Sequence, residues 1–126
     1  TGAAAEIVTQ DRFARHVGVE LLDVAEGRAT ARMDVAPCHF NGIGMIHGSA
    51  IFTLADYAFA AAANAAGAPA LSVNMSISFM KSSKGKTLFA EAQEVAKSRK
   101  VGHYRIMITD EDKNEIAIVQ GIAYRK

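Results

Sequence analysis

Ser49-Ala50-Ile51-Phe52-Thr53-Leu54-Ala55-Asp56-Tyr57-Ala58-Phe59-Ala60-Ala61-Ala62-Ala63-Asn64 contains neither Gly nor Pro and is dominated by alanine. A run of this kind predicts one long helix of about 24 Å. Ser49 is a plausible cap at its start, and Gly67 and Pro69 are stop signals beyond its end. Immediately after it, Leu71, Val73, Met75, Ile77 and Phe79 alternate with Ser72, Asn74, Ser76 and Ser78, the period-two pattern of a strand with one apolar face.

Outward from this pair the signals are shorter. Ala5 to His16 carries Glu6 early and Arg15 and His16 late, the charge order that a helix dipole favours, and predicts a short amphipathic helix. Val19–Val24 and Arg28–Val35 flank Glu26-Gly27 and predict a hairpin. Pro37 ends the second strand and opens a loop through Asn41, Gly42 and Gly44 to His47-Gly48. Leu88–Val95, Tyr104–Thr109 and Ile116–Tyr124 predict three further strands, the last two joined by the solvated turn Asp110-Glu111-Asp112-Lys113-Asn114. The order is α, β, β, long α, then four β. It predicts an α+β fold in which a mostly antiparallel sheet packs on one dominant helix, as a single domain over residues 1–126.

Composition narrows the class. The chain has 126 residues, half of them apolar, with 14 basic against 13 acidic side chains. That suits a globular domain and gives no electrostatic reason to expect nucleic acid or an anionic membrane as partner. Cys38 is the single cysteine, so no intrachain disulfide can form and a reducing, cytoplasmic setting is expected. The N-terminal residues show no signal-peptide pattern, and Ala50–Ala63 is too short, and interrupted by Asp56, for a membrane span.

Between Asn41 and Met80 the one formal charge is Asp56. On a helical wheel with Ser49 at zero, Thr53, Tyr57, Asn64 and Asp56 share an arc of about 100°, and the remainder is apolar. The helix is therefore expected to be buried on most sides, with one narrow polar seam. A carboxylate there loses hydration worth roughly several kcal/mol unless it is paired or protonated, and no neighbouring cation is evident in the sequence. Such an environment raises the pKa and suits a general base or nucleophile. Capping, or simple contact with water, is the plainer alternative. Ahead of the helix, Asn41-Gly42-Ile43-Gly44-Met45-Ile46-His47-Gly48 is a glycine-rich approach to a helix start, where unpaired N–H groups and the dipole stabilise an oxyanion. Cys38 and His39 beside His47 lack a fourth ligand and regular spacing, so no metal is expected.

The string from Asn41 to Ala60 resembles the hotdog-fold acyl-CoA thioesterases of the PaaI type. That pattern has an Asn, a His-Gly-Gly six residues on, and a helix carrying Leu-Ala-Asp and Ala-Phe-Ala. This chain departs from it only at Ser49, where a second Gly is usual. The resemblance implies a sheet wrapped around the long helix and hydrolysis of an acyl-CoA, of the aryl or arylacetyl kind, to free acid and CoA. It implies Asp56 as nucleophile or general base and Gly48 as the backbone N–H that polarises the carbonyl. Asn41 would orient the attacking water or the thioester, His47 would shape the helix start, and Ser72 would lie beside the water. It also implies active sites shared across a dimer, two dimers making a tetramer, and no cofactor beyond the CoA of the substrate.

For the CoA phosphates, residues 81–105 hold seven basic side chains against Glu91 and Glu94, and the Lys97, Arg99 and Lys100 turn is the expected contact. Two other functions compete. A hotdog hydratase or dehydratase would need a His for proton transfer, for which only His47 is placed. A non-catalytic acyl-CoA-binding module would not need a desolvated Asp56.

Overall fold

The structure, a computed structural model, describes residues 8–83 and 85–126. Its elements are α1 (Arg12–Val17), β1 (Val19–Ala25), β2 (Arg28–Asp34), a 3-10 turn (Pro37–His39), α2 (Gly48–Asn64), β3 (Ala70–Phe79), β4 (Thr87–Lys97), β5 (Val101–Asp110) and β6 (Glu115–Arg125). The six strands form one sheet in the order β1-β2-β4-β5-β6-β3, with every neighbouring pair antiparallel. The long helix α2 touches all six strands, so the sheet curls around it. This is the α+β arrangement expected from the sequence, with each strand observed within a few residues of its expected span.

Core formation follows the apolar phases. Leu54 and Phe59 of α2 meet Met33, Leu88, Ile106, Ile108, Ile116 and Val119 of the sheet, all fully buried. Phe59 lies so close to β6 that a Cβ on Gly121 would come within 2.9 Å of its ring, so a glycine is required there. Its other side tilts against Tyr104, with ring centroids 5.1 Å apart. Truncating Phe59 to Ala would cost about 3–5 kcal/mol. Among the described residues no helix is long and apolar enough to cross a membrane.

Three local expectations are corrected. The helix expected over Ala5–His16 is interrupted: Val8 and Thr9 are helical, and Gln10 and Asp11 break the run. Asp11 accepts from the Ala14 N–H at 2.9 Å to cap a separate helix that starts at Arg12 and is closed by Gly18 in the left-handed region at φ 100°. The part of that expectation at residues 5–7 lies outside the described residues. The cap of α2 is His47, whose Nδ1 accepts from the Ser49 N–H at 3.1 Å, and Ser49 itself lies within the helix. Finally, the seam on α2 is not the one the wheel drew. Tyr57 and Asn64 are buried, and the outward stripe consists of Ser49, Phe52, Thr53, Asp56 and Ala60.

Strand β3 differs from the rest. It is one of the two edges of the sheet, opposite β1, with no strand on its outer side among the described residues. Met75 and Ile77 pack on the core, as the alternation expects. A register shift between Ser72 and Asn74 breaks the pattern, and Leu71, Val73 and Phe79 are all more than half exposed.

Candidate active site

The loop leading into α2 is built before the helix begins. His39, buried beneath it, accepts from the Ala36 N–H at Nδ1 and donates from Nε2 to the Val17 carbonyl, at 2.9 and 2.5 Å. The acceptor role of Nδ1 fixes the neutral tautomer and occupies both ring nitrogens. His39 is thus a splice between α1 and the loop. Phe40 pairs with Ile46, and the His47 N–H donates to the His39 carbonyl. Between them Asn41 ties residues 41–45 into a closed loop: its Oδ1 accepts from Ile43 and Met45 N–H at 3.1 and 3.0 Å, and its own N–H donates to the Met45 carbonyl. The side-chain amide of Asn41 has no partner among the described residues and is left as a donor.

At the helix start the first N–H groups are not equivalent. The Ser49 N–H goes to the His47 ring, and the Ala50 and Ile51 N–H groups to the His47 carbonyl. The Gly48 N–H has no partner among the described residues. It is therefore the free donor at the positive end of a seventeen-residue helix dipole. Gly48 and Asn41 open onto the same cleft, of about 420 Å³, whose other walls are Met45, Ile46, Ile51 and the segment Phe79–Ser83. The Phe79 ring lies close enough over Gly48 that a Cβ there would approach it to 3.0 Å. A glycine thus leaves room both for that ring and for a ligand oxygen.

Asp56 lies two turns further along α2. It is half-buried, and among the described residues its carboxylate has neither a hydrogen-bond nor an ion-pair partner. Burial holds its pKa above the usual carboxylate range, and the negative charge of Asp11 at the cap of α1 adds to the rise. A base that is under-solvated and unclaimed is in the electrostatic state that proton abstraction or nucleophilic attack requires. Eight residues at 1.5 Å each separate Asp56 from Gly48 by about 12 Å along the axis, so one protomer cannot present both to a single carbonyl.

The remaining expected residues lie elsewhere. His47 forms the cap, and its ring lines a separate recess with Phe13, His16, Cys38, Ser49 and Thr53. Ser72 is exposed on the edge strand, about 23 Å of strand away from Phe79. Lys97 and Arg99 border a recess at the C-terminal end of α2 with Glu26, Glu94, Tyr104 and Arg125, about 20 Å along the helix from Gly48, while Lys100 lies outside that recess. There Arg125 is ion-paired to Glu94, so part of the local positive charge is already met. Burial, together with the carboxylate of Glu94, pushes the Tyr104 hydroxyl up to about 12. The segment Phe79-Met80-Lys81-Ser82-Ser83 was not anticipated as part of the site, although Lys81 belongs to the basic run noted in the sequence.

Three comparisons bear on this arrangement. The thioesterase superfamily pattern matches residues 43–117. The acyl-coenzyme A thioesterase PaaI of Escherichia coli K12 is 33% identical over 116 residues, which cover 91% of this chain and 83% of that protein. The solved structure of the E. coli PaaI protein from the phenylacetic acid degradation operon superposes with a TM-score of 0.94 at 30% identity, covering 99% of this chain and 91% of the other. A variant of the phenylacetic acid degradation protein PaaI from Thermus thermophilus gives 0.87 at 30% identity, covering 92% and 100%.

Proposed function

Because the chain belongs to the thioesterase superfamily, we propose that it hydrolyses acyl-CoA thioesters to free acid and CoA, and that Asp56 carries the chemistry. The observation behind this reading is the contrast in α2 between a donor without an acceptor among the described residues, the Gly48 N–H, and an acceptor without a donor among them, the Asp56 carboxylate. The thioester oxygen sits at Gly48, where the helix end stabilises the negative charge that develops on it. The Asn41 amide donates to the same carbonyl or to the attacking water, and the ring of His47 keeps the neighbouring N–H occupied so that Gly48 is the group left for substrate.

Two routes use the same carboxylate. With Asp56 as general base, it takes a proton from water, the hydroxide adds to the carbonyl carbon, and the tetrahedral oxyanion collapses with cleavage of the C–S bond, the thiolate taking up a proton. With Asp56 as nucleophile, its oxygen adds to the carbonyl carbon, the C–S bond breaks to release CoA thiolate, and water hydrolyses the resulting mixed anhydride. Either route needs only protein groups, water and the thioester.

The separation of about 12 Å between Asp56 and Gly48 along α2 is the reason to place the active site between two copies of the chain. The free edge of β3, with its exposed Leu71, Val73 and Phe79, is the surface through which they would join. Antiparallel pairing of two such edges about their midpoint would bring the second copy's Ser72 opposite the Ile77–Phe79 end, beside the Gly48 cleft. Two such dimers would make the tetramer. The stripe Ser49, Phe52, Thr53, Asp56 and Ala60, half-apolar and with a single charge, suits a face that meets another subunit.

The acyl group is of the aryl or arylacetyl class, by likeness to the PaaI proteins and by the aromatic and sulfur-bearing wall of Phe79, Met80 and Met45. Thiol release from a panel of arylacetyl-, aryl- and alkanoyl-CoA esters tests this. The largest kcat/KM is expected for arylacetyl esters, and release from none of them overturns the proposed activity.

A further inference from the structure

Within the Gly48 cleft one charged side chain stands apart. Lys81 is the only charged residue among those described that line it, and no carboxylate lies within ion-pair distance of its ammonium among the described residues. It is nevertheless braced. The Lys81 and Met80 N–H groups both donate to the Ile116 carbonyl, at 3.1 and 2.8 Å, which fixes the chain direction just past β3. The ammonium donates to Asn114 Oδ1 at 3.2 Å, and the Asn114 side-chain amide donates in turn to Asp110 Oδ2 at 3.0 Å.

The acid in this chain is kept occupied. Asp110 Oδ1 accepts from the Asp112 and Asn114 N–H groups at 3.0 and 2.9 Å, so its acceptor capacity goes to the β5–β6 turn, and the lysine meets a neutral amide oxygen. Asp110 still feels the lysine's charge, but as the weakest influence on its pKa. An ammonium with one of three donors used, held in place by a neutral partner at the exposed rim of a cleft, is a site for an anion. Ser82 and Ser83 add hydroxyls beside it. The 97–100 turn, by contrast, shares its recess with Glu26 and Glu94 at the far end of α2.

We infer that Lys81, positioned by Asn114, binds a phosphate of the CoA carrier at the mouth of the Gly48 cleft. This rests on the proposed activity only for the identity of the ligand, and its test needs no turnover. Titrating CoA and, separately, pantetheine into wild type by calorimetry gives the reference. Lys81→Gln is expected to raise the Kd for CoA about tenfold or more and to leave that for pantetheine unchanged, while Lys81→Arg stays near wild type.

Asn114→Asp is expected to weaken CoA as Lys81→Gln does, because a carboxylate would then claim the ammonium, and the effect should shrink in high salt. Asn114→Ala, which frees the lysine without neutralising it, should cost only about threefold. An unchanged CoA affinity in Lys81→Gln, or an equal loss for CoA and pantetheine, overturns the inference. Lysine-dependent CoA binding without hydrolysis of any ester would leave this site standing and remove the catalytic reading. Hydrolysis with CoA affinity indifferent to Lys81 would do the reverse.

Discussion

Two aspartates, one in the middle of α2 and one at the β5–β6 turn, are both withdrawn from water and end in opposite states. Asp110 is more buried than Asp56, and burial alone would push its carboxyl upward. The side-chain and backbone donors of Asn114 and the N–H of Asp112 outweigh that and hold it below the ordinary carboxylate range. Asp56 is half-buried and sits higher than ordinary, because among the described residues no donor answers its burial, and Asp11 adds like charge. Burial pushes both carboxyls upward, and the supply of donors is what turns Asp110 into a structural acid while Asp56 stays raised.

The sharpest way to break the comparison is to neutralise each acid in turn. Asp56→Asn keeps size and polarity while removing the base, and kcat should fall by about 10²-fold or more with CoA binding retained. Its Tm should hold or rise, since ionised Asp56 costs folding free energy. Asp110→Ala should show the opposite profile. The turn loses three hydrogen bonds at once, stability drops by about 1–3 kcal/mol, and kcat at saturating substrate falls by less than about tenfold. Chemical denaturation and steady-state kinetics on the same two variants decide the matter, and equal loss of activity in both would erase the distinction.

The pH dependence of stability separates the two acids without any mutation at the turn. Asp110, with its pKa lowered on folding, contributes stability that is present above the unfolded value and lost as pH falls through its folded value. For Asp56, raised on folding, the unfavourable contribution is full above the folded pKa and disappears as pH falls toward the unfolded value of 3.8. Denaturation midpoints across mildly acidic pH should therefore contain a component that improves on acidification in wild type and is missing in Asp56→Asn.

The sequence makes one of these acids legible and hides the other. Asp56 stands out because forty residues around it carry no other charge, and the Gly- and Pro-free run that holds it fixes the helix. Asp110 sits among Glu111, Asp112 and Lys113, so composition reads it as an ordinary solvated turn. Its burial depends on how β5 and β6 meet β4, which no local pattern encodes. The same limit explains Tyr57 and Asn64. A helical wheel treats any polar side chain as facing water, but Asn64 bonds the Ala60 carbonyl and both backbone groups of Ala70, splicing α2 to β3. Ser49 attracted the cap expectation by propensity, whereas the ring nitrogen of His47 reaches the Ser49 N–H from two residues earlier. Phe79–Ser83 was invisible as a cleft wall because its role comes from the crossing of β3 over the start of α2.

The smallest expected effect tests the electrostatic origin of the Asp56 state. Asp11→Asn preserves the cap of α1, since an Asn oxygen accepts from the Ala14 N–H about as well, and stability should change by no more than a few tenths of a kcal/mol. It removes the like charge that adds to the rise at Asp56. If Asp56 must be ionised to act, the acidic limb of kcat/KM against pH should move to lower pH in this variant, and the shift should narrow as salt screens the pair. Burial, the larger cause, is untouched, so the limb should still lie above the range of a free aspartate. A limb that does not move would mean that Asp56 does not titrate in the step that limits kcat/KM, however its pKa is set.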